Sequence, residues 1–83
     1  MRLVYFASVR EAMGRDGEDF DPPAHVNSID DCLTFLAQQG AEYAAAFAQR
    51  EKLRFALDQQ MAKHDAPIGT ATELAIFPPV TGG

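Results

Sequence analysis

Residues 2–9, Arg-Leu-Val-Tyr-Phe-Ala-Ser-Val, alternate in the manner of a β-strand, with Leu3, Tyr5, Ala7 and Val9 on one side and Val4, Phe6 and Ser8 on the other. Both sides are largely apolar, which predicts a central strand covered at least in part on both faces. A chain of 83 residues supports one compact domain with a modest core, so the rest of the sequence has to supply that cover. A short helical stretch is expected from Arg10 to Met13, stopped by Gly14. Residues 17–20 read as a second, shorter strand ended by Pro22-Pro23.

The clearest helix begins at Ser28. Ser28 and Asp31 form a capping-box-like start, and Asp30 with Asp31 suits the positive end of the helix dipole. Ile29, Cys32, Leu33 and Leu36 recur at helical spacing and make one apolar face, with Gly40 as the expected stop. The Ala-rich stretch 41–49 predicts a second helix carrying Tyr43 and Phe47 four residues apart. Strand alternation returns at Leu53, Phe55 and Leu57. Asp58-Gln59 then opens a turn into a short strand over 60–63, Asp65-Ala66-Pro67 makes another turn, and Leu74–Phe77 is the last strand. A crossover helix between an N-terminal hairpin and later strands predicts an α+β fold of the β-grasp, ubiquitin-like kind. Its sheet would be mixed, its helices would pack on one face, and an extended C-terminal tail would follow. The domain is expected over residues 1–77 and the tail over 78–83.

Charge excludes some roles. The net charge is −5, the sequence pI is about 4.7, and the seven Lys and Arg are scattered, with Arg50, Lys52 and Arg54 the tightest group. Nucleic acid and anionic membranes repel such a surface, so neither is expected as a partner. A single cysteine, Cys32, permits no internal disulfide and no Cys-rich zinc site, and suits a reducing compartment. With neither a signal-peptide pattern nor a membrane-length apolar run, the chain reads as cytoplasmic.

The tail, Pro78-Pro79-Val80-Thr81-Gly82-Gly83, carries the chemistry. Two prolines block helix and central-sheet pairing and hold the segment extended. Six residues reach roughly 20 Å, enough to carry the terminal carboxylate of Gly83 into another protein's site. Gly82 and Gly83 are slender enough for a narrow channel, where a β-carbon would crowd the reacting carboxyl. The ten residues from Leu74 to Gly83 carry no charged side chain, so the segment can be desolvated at little cost beyond the carboxylate itself. A Gly-Gly ending alone is equally a frayed terminus; the preceding diproline favours function. No Gly-rich phosphate loop is present, so ATP chemistry on the tail would belong to a partner.

These residues carry a resemblance. Tyr5-Phe6-Ala7-Ser8-Val9-Arg10-Glu11 is similar to the opening, and Phe77-Pro78-Pro79-Val80-Thr81-Gly82-Gly83 to the closing signature, of the small, sulfur-carrying subunits of molybdopterin synthase, the MoaD family of ubiquitin-like β-grasp proteins. The chain departs from the family pattern at Asp58, where Asn is usual, and at Ala71, where a turn Gly is common. The resemblance implies that Gly83 becomes a glycyl adenylate and then a thiocarboxylate, with Thr81 and Gly82 threading into the partner and Phe77, Pro78, Pro79 and Val80 touching it. It implies three partners: a ubiquitin-activating-enzyme-like adenylyltransferase that uses ATP, a sulfurtransferase, and the large catalytic synthase subunit, arranged with the small one as a heterotetramer. The sulfur would go to cyclic pyranopterin monophosphate in molybdenum cofactor biosynthesis. No tightly bound cofactor or metal is expected of the chain itself, which would be a non-autonomous subunit without a complete active site. Carriage of sulfur for the thiamine thiazole or for tRNA thiolation shares the Gly-Gly chemistry, as does a ubiquitin-like modifier.

Other residues invite functional readings that simpler ones outweigh. Cys32 lies on the apolar helix face, as a small buried hydrophobe would. His25 and His64 stand far apart with no further ligand at metal spacing, and His64 next to Asp65 reads as turn chemistry. Asp30 and Asp31 are read as capping groups. Phe77 fits a partner anchor and a core residue equally.

Overall fold

Five strands form one mixed sheet in the order β2-β1-β5-β3-β4 in a computed structural model that describes residues 1–79. The strands are β1 (Arg2–Tyr5), β2 (Gly17–Asp19), β3 (Arg54–Leu57), β4 (Gln60–Ala62) and β5 (Glu73–Phe77). β1 and β5 run parallel, and every other neighbour pair is antiparallel. Three α-helices, α1 (Ala7–Met13), α2 (Ile29–Ala37) and α3 (Ala41–Ala46), and a 3-10 turn at Arg50–Lys52 complete the described residues. This is the expected α+β β-grasp, with the helices on one face.

The first strand is shorter than the alternation of residues 2–9 implied. It ends at Tyr5, and Ala7, Ser8 and Val9 belong to α1. The break is made at the backbone: Phe6 is extended, Ala7 takes a left-handed φ of 51°, and the carbonyl of Phe6 accepts from the N–H groups of both Val9 and Arg10. Val9 is still buried, but beneath a helix. Gly14 ends α1 with φ 72°, its N–H donating to the Arg10 carbonyl, where a β-carbon would be strained.

α2 starts as its sequence predicts. The Ser28 hydroxyl accepts from the Asp31 N–H at 3.1 Å, and Asp31 in turn accepts from the Asn27 N–H at 3.0 Å. Its stop differs. The last turn tightens, with Gln38 and Gln39 donating to Phe35 and Leu36, and Gly40 is extended at the start of α3, not left-handed at the end of α2. Ile29, Cys32, Leu33 and Leu36 of α2 are buried against Leu3, Tyr5, Phe55, Leu74 and Ile76 of the sheet. Burial of this kind is worth about 1.5–3 kcal/mol for each large aliphatic side chain.

One polar network tightens the helix side. Glu18 on β2 accepts from the hydroxyl of Tyr5 at 2.6 Å, from that of Tyr43 at 2.8 Å and from the Arg15 guanidinium at 2.9 Å. Burial pushes the Glu18 carboxyl up, but these hydrogen bonds outweigh it and hold its pKa below the ordinary value. Burial and the same carboxylate raise the Tyr5 phenol.

The hairpin between β3 and β4 turns on Asp58 and Gln59, with φ of 49° and 68°. Asp58 does what an Asn would do there: one carboxylate oxygen accepts from the N–H of Thr72 at 2.9 Å, the Thr72 hydroxyl at 3.1 Å and the N–H of Glu73 at 3.0 Å. Those contacts, the Thr72 N–H first, lower its pKa and pin the start of β5. The left-handed position of the turn before β5 is Gly69, at φ 52°, which leaves Ala71 outside the left-handed region.

Candidate functional site

Alternation along β5 sends Leu74 and Ile76 to the helices and Glu73, Ala75 and Phe77 to the opposite face. β5 is bonded on both sides, to β1 and to β3, so whatever follows Phe77 leaves from an interior strand and not from a frayed edge. The Phe6 N–H donates to the Ile76 carbonyl at 3.3 Å, which ties the end of β5 to the start of α1. Pro78 is half-buried and Pro79 exposed. Both border a groove of about 450 Å³ whose walls include Ser8, Ala46 and Leu53. The tail residues Val80, Thr81, Gly82 and Gly83 lie outside the described residues.

The face opposite the helices departs from the reading of residues 2–9. β1 is interior to the sheet, but the helices cover one side of it. On the other side Val4 is half-buried and Phe6 is 48% exposed. Met61, from β4, is 68% exposed on this same face, across from Ala56. Phe77 belongs here too, half-buried, with its ring edge-on to Phe6 at 6.3 Å between centroids. The core-or-surface question for Phe77 therefore resolves to the open face. Phe6, Met61 and Phe77 surround the small, buried Ala56 and Ala75, an apolar surface beside the root of the tail. An apolar patch left bare in this way marks a place for a partner.

Phe6 and Met61 were not singled out by sequence reasoning. The signal for Phe6 was present in the alternation, which puts it with Val4; what was missing was that no element covers that side. Met61 gives no sequence signal beyond its place in a short strand.

Cys32 is fully buried, and burial, helped by the charge of Asp31, pushes its thiol up to about 11, far from a reactive thiolate. His25 is exposed, with its ring at 6.1 Å from that of Phe35. His64 pairs with Asp30, not with its neighbour Asp65. Its Nδ1 lies 2.6 Å from the Asp30 carboxylate, whose hydrogen bond and charge raise the His64 pKa. Asp30 thus does more than favour a helix start: it joins α2 to the loop after β4, and Arg50 adds a hydrogen bond to its carbonyl at 3.1 Å. Among the described residues no group of three or more His, Cys, Asp or Glu gathers to hold a metal ion. Among them, too, no helix is long and apolar enough to cross a membrane.

The profile of the ThiS family matches residues 3–83. The molybdopterin synthase sulfur carrier subunit of Escherichia coli is 32% identical over 83 residues, covering all of this chain and 99% of that protein. The protein of the same name from Haemophilus influenzae is 32% identical over 87 residues, covering 100% of this chain and 99% of its own length. Among solved structures, SAMP1 from Haloferax volcanii superposes with a TM-score of 0.72 at 23% identity, over 100% of this chain and 98% of that one. A putative molybdopterin converting factor, subunit 1, from Pyrococcus furiosus gives 0.71 at 18% identity, over 95% of each chain. At those identities the structures speak for the fold alone.

Proposed function

The chain belongs to the ThiS family, and from that premise we propose that it is the sulfur carrier subunit of a molybdopterin synthase. The observation that carries this reading is the identity with two proteins of that name, which extends over the whole chain. The apolar face beside the root of the tail supports it, because a carrier must dock before its tail can react.

In this reading the Gly83 carboxylate attacks the α-phosphorus of ATP on a ubiquitin-activating-enzyme-like adenylyltransferase, forming the acyl-adenylate as pyrophosphate leaves. A sulfurtransferase then supplies sulfur at the sulfide level, its persulfide being reduced by a thiol, and this sulfur displaces AMP from the acyl-adenylate to leave Gly83 as a thiocarboxylate. The charged carrier docks its open face, with Phe6, Met61 and Phe77, on the large catalytic subunit. Val80, Thr81 and Gly82 follow into that subunit's site, and sulfur passes to cyclic pyranopterin monophosphate as water cleaves the acyl–sulfur bond and restores the Gly83 carboxylate. Two such pairs would assemble as a heterotetramer, in a reducing cytoplasm that suits the lone Cys32. ATP is bound by the activating partner, and the carrier holds no cofactor of its own.

Intact-mass spectrometry after incubation with ATP, the adenylyltransferase and the sulfurtransferase tests this. The expected product has one oxygen exchanged for sulfur at the C-terminus, and deletion of Gly83 removes both that species and molybdenum cofactor production. Cofactor synthesis by the truncated chain would sink the proposal. The ThiS family also accommodates carriage of sulfur toward a thiazole or a tRNA base. A sulfurated chain that fails to support the large synthase subunit would favour that second reading, and lysine conjugates would favour a protein modifier.

A further inference from the structure

The open face is not electrically uniform. At one end Arg2 stands in register between Asp19 on β2 and Glu73 on β5, with an ion pair of 3.6 Å to Asp19. At the other end, where the tail leaves, Arg54 stands in register with Phe77. The β3–β4 pairing sets Phe55 against Ala62 and Ala56 against Met61, and continuing it by one residue sets Lys63 across from Arg54. Lys63, Arg54 and Phe77 therefore make one row across the open face, beside the root of the tail.

Both cations of that row are exposed. Arg2, Arg15 and Arg50 each have a carboxylate partner; Arg54 and Lys63, like Arg10 and Lys52 elsewhere, form no ion pair among the described residues, and they are the two that share a row on the open face. Arg54 donates to the carbonyl of its neighbour Leu53 at 3.0 Å, which leaves its charge uncompensated. Both cations border a groove of about 440 Å³, separate from the one at Pro78 and Pro79, and Glu51, which also borders it, pairs with neither. Like charges directly opposite each other in a sheet are destabilising. A chain of net charge −5 thus keeps a repelling pair of cations beside its tail root, with exposed Met61 adjoining.

We infer that Arg54 and Lys63 form a recognition corner for carboxylate side chains of the protein partner that covers the open face. The partner's docking surface is apolar where it meets Phe6, Met61 and Phe77, and acidic at the rim of the channel that admits the tail. Docking gives ion pairs to two exposed cations and fixes the rotational setting of the carrier, since the far end of the face holds Arg2 between two carboxylates, Asp19 and Glu73, and offers no free cation among the described residues. Charge complementarity of this kind sets orientation and association rate. Nucleic acid is the poorer occupant, because the rest of the chain repels it.

The inference rests on the docking reading proposed above, and one titration separates the two. Binding of the full-length chain to the large synthase subunit from the same source is measured by calorimetry at low and high salt. The double variant Arg54→Glu, Lys63→Glu is expected to bind more than about tenfold more weakly at low salt and to lose most of the wild-type salt dependence. Arg2→Glu, at the other end of the face, is expected to stay within about twofold. Arg54→Glu alone gains an ion pair with Lys63, so its melting temperature should match or exceed the wild type, which separates a binding defect from misfolding. A double variant that binds like the wild type with the same salt slope overturns the corner and leaves the docking reading standing. Failure of the wild type to bind overturns that reading and the corner with it. Retention of the wild type on single-stranded RNA through these two residues would assign the corner to nucleic acid and also overturn it.

Discussion

The two faces of the sheet are made by alternate residues of the same strands, and they are built on different terms. Leu3, Tyr5, Leu74 and Ile76 point one way and are sealed under three helices. Val4, Phe6, Ala75 and Phe77 point the other way, where the aromatic rings touch mainly each other. On the packed face the Glu18 carboxylate is answered from within the chain, by Tyr5, Tyr43 and Arg15. The open face has apolar area and, at Arg54 and Lys63, charge that the described residues do not answer. The difference separates stability from recognition, and substitutions on either face can test the separation.

The largest effect on folding belongs to the packed face. Leu33→Ala, at a fully buried position, is expected to cost about 2–5 kcal/mol of unfolding free energy in urea titration. Phe6→Ala is the counterpart on the open face. It is expected to weaken docking to the large subunit by about thirtyfold, equivalent to about 2 kcal/mol, while costing clearly less stability than Leu33→Ala. A Phe6 variant that melts early and docks normally would reverse the assignment of the two faces.

Smaller losses follow where polar groups hold the packed face. Tyr5→Phe removes the 2.6 Å hydrogen bond to Glu18 and is expected to cost about 1–3 kcal/mol by chemical denaturation. The same network sets a pH dependence. A carboxylate whose folded pKa is lowered stabilises above its unfolded value, here 4.5, and that contribution is lost as pH falls through the lower folded value. His64 has the opposite sign. Its pKa is raised above 6.5 by Asp30, so its contribution is full below 6.5 and lost as pH rises through the folded value. Melting temperature against pH should therefore flatten on the acid limb in Glu18→Gln and above pH 6.5 in His64→Gln. An unchanged acid limb in Glu18→Gln would remove the network from the account of stability. The smallest change is Ala7→Gly, which relieves a left-handed φ of 51° at the cost of chain entropy and should shift stability by less than about 1 kcal/mol.

Much of this architecture was legible along the chain, because it rests on local rules. Ser28 and Asp31 announced a helix start, Gly14 a helix end, and Asp58-Gln59 a tight turn. What was not legible depends on contacts between distant residues. Alternation told which residues share a face with Phe6 but not whether anything covers that face. Arg54 and Lys63 are nine positions apart and looked scattered until the hairpin set them opposite one another. Asp30 looked sufficient as a helix-start charge, and its bond to His64 spans 34 positions. Gly40 misled for a local reason, since a glycine between two helices serves equally as the end of one or the beginning of the next. At the candidate site, Phe77-Pro78-Pro79 could be picked out from its lack of charge and its prolines, whereas the apolar surround required the sheet.

The parallel pairing of β1 with β5 also constrains when this molecule comes into being. β1, first of the five strands in chain order, has the fifth as its neighbour, and β3 in turn pairs with β5 on that strand's far side. Without β5, β1–β2 and β3–β4 are two separate hairpins with no shared sheet, and isolated hairpins are marginal in water. Folding must therefore wait until Phe77 has been synthesised and has cleared the exit tunnel. A chain that stops before β5 lacks both the strand that joins the two hairpins and the Phe77 of the open face.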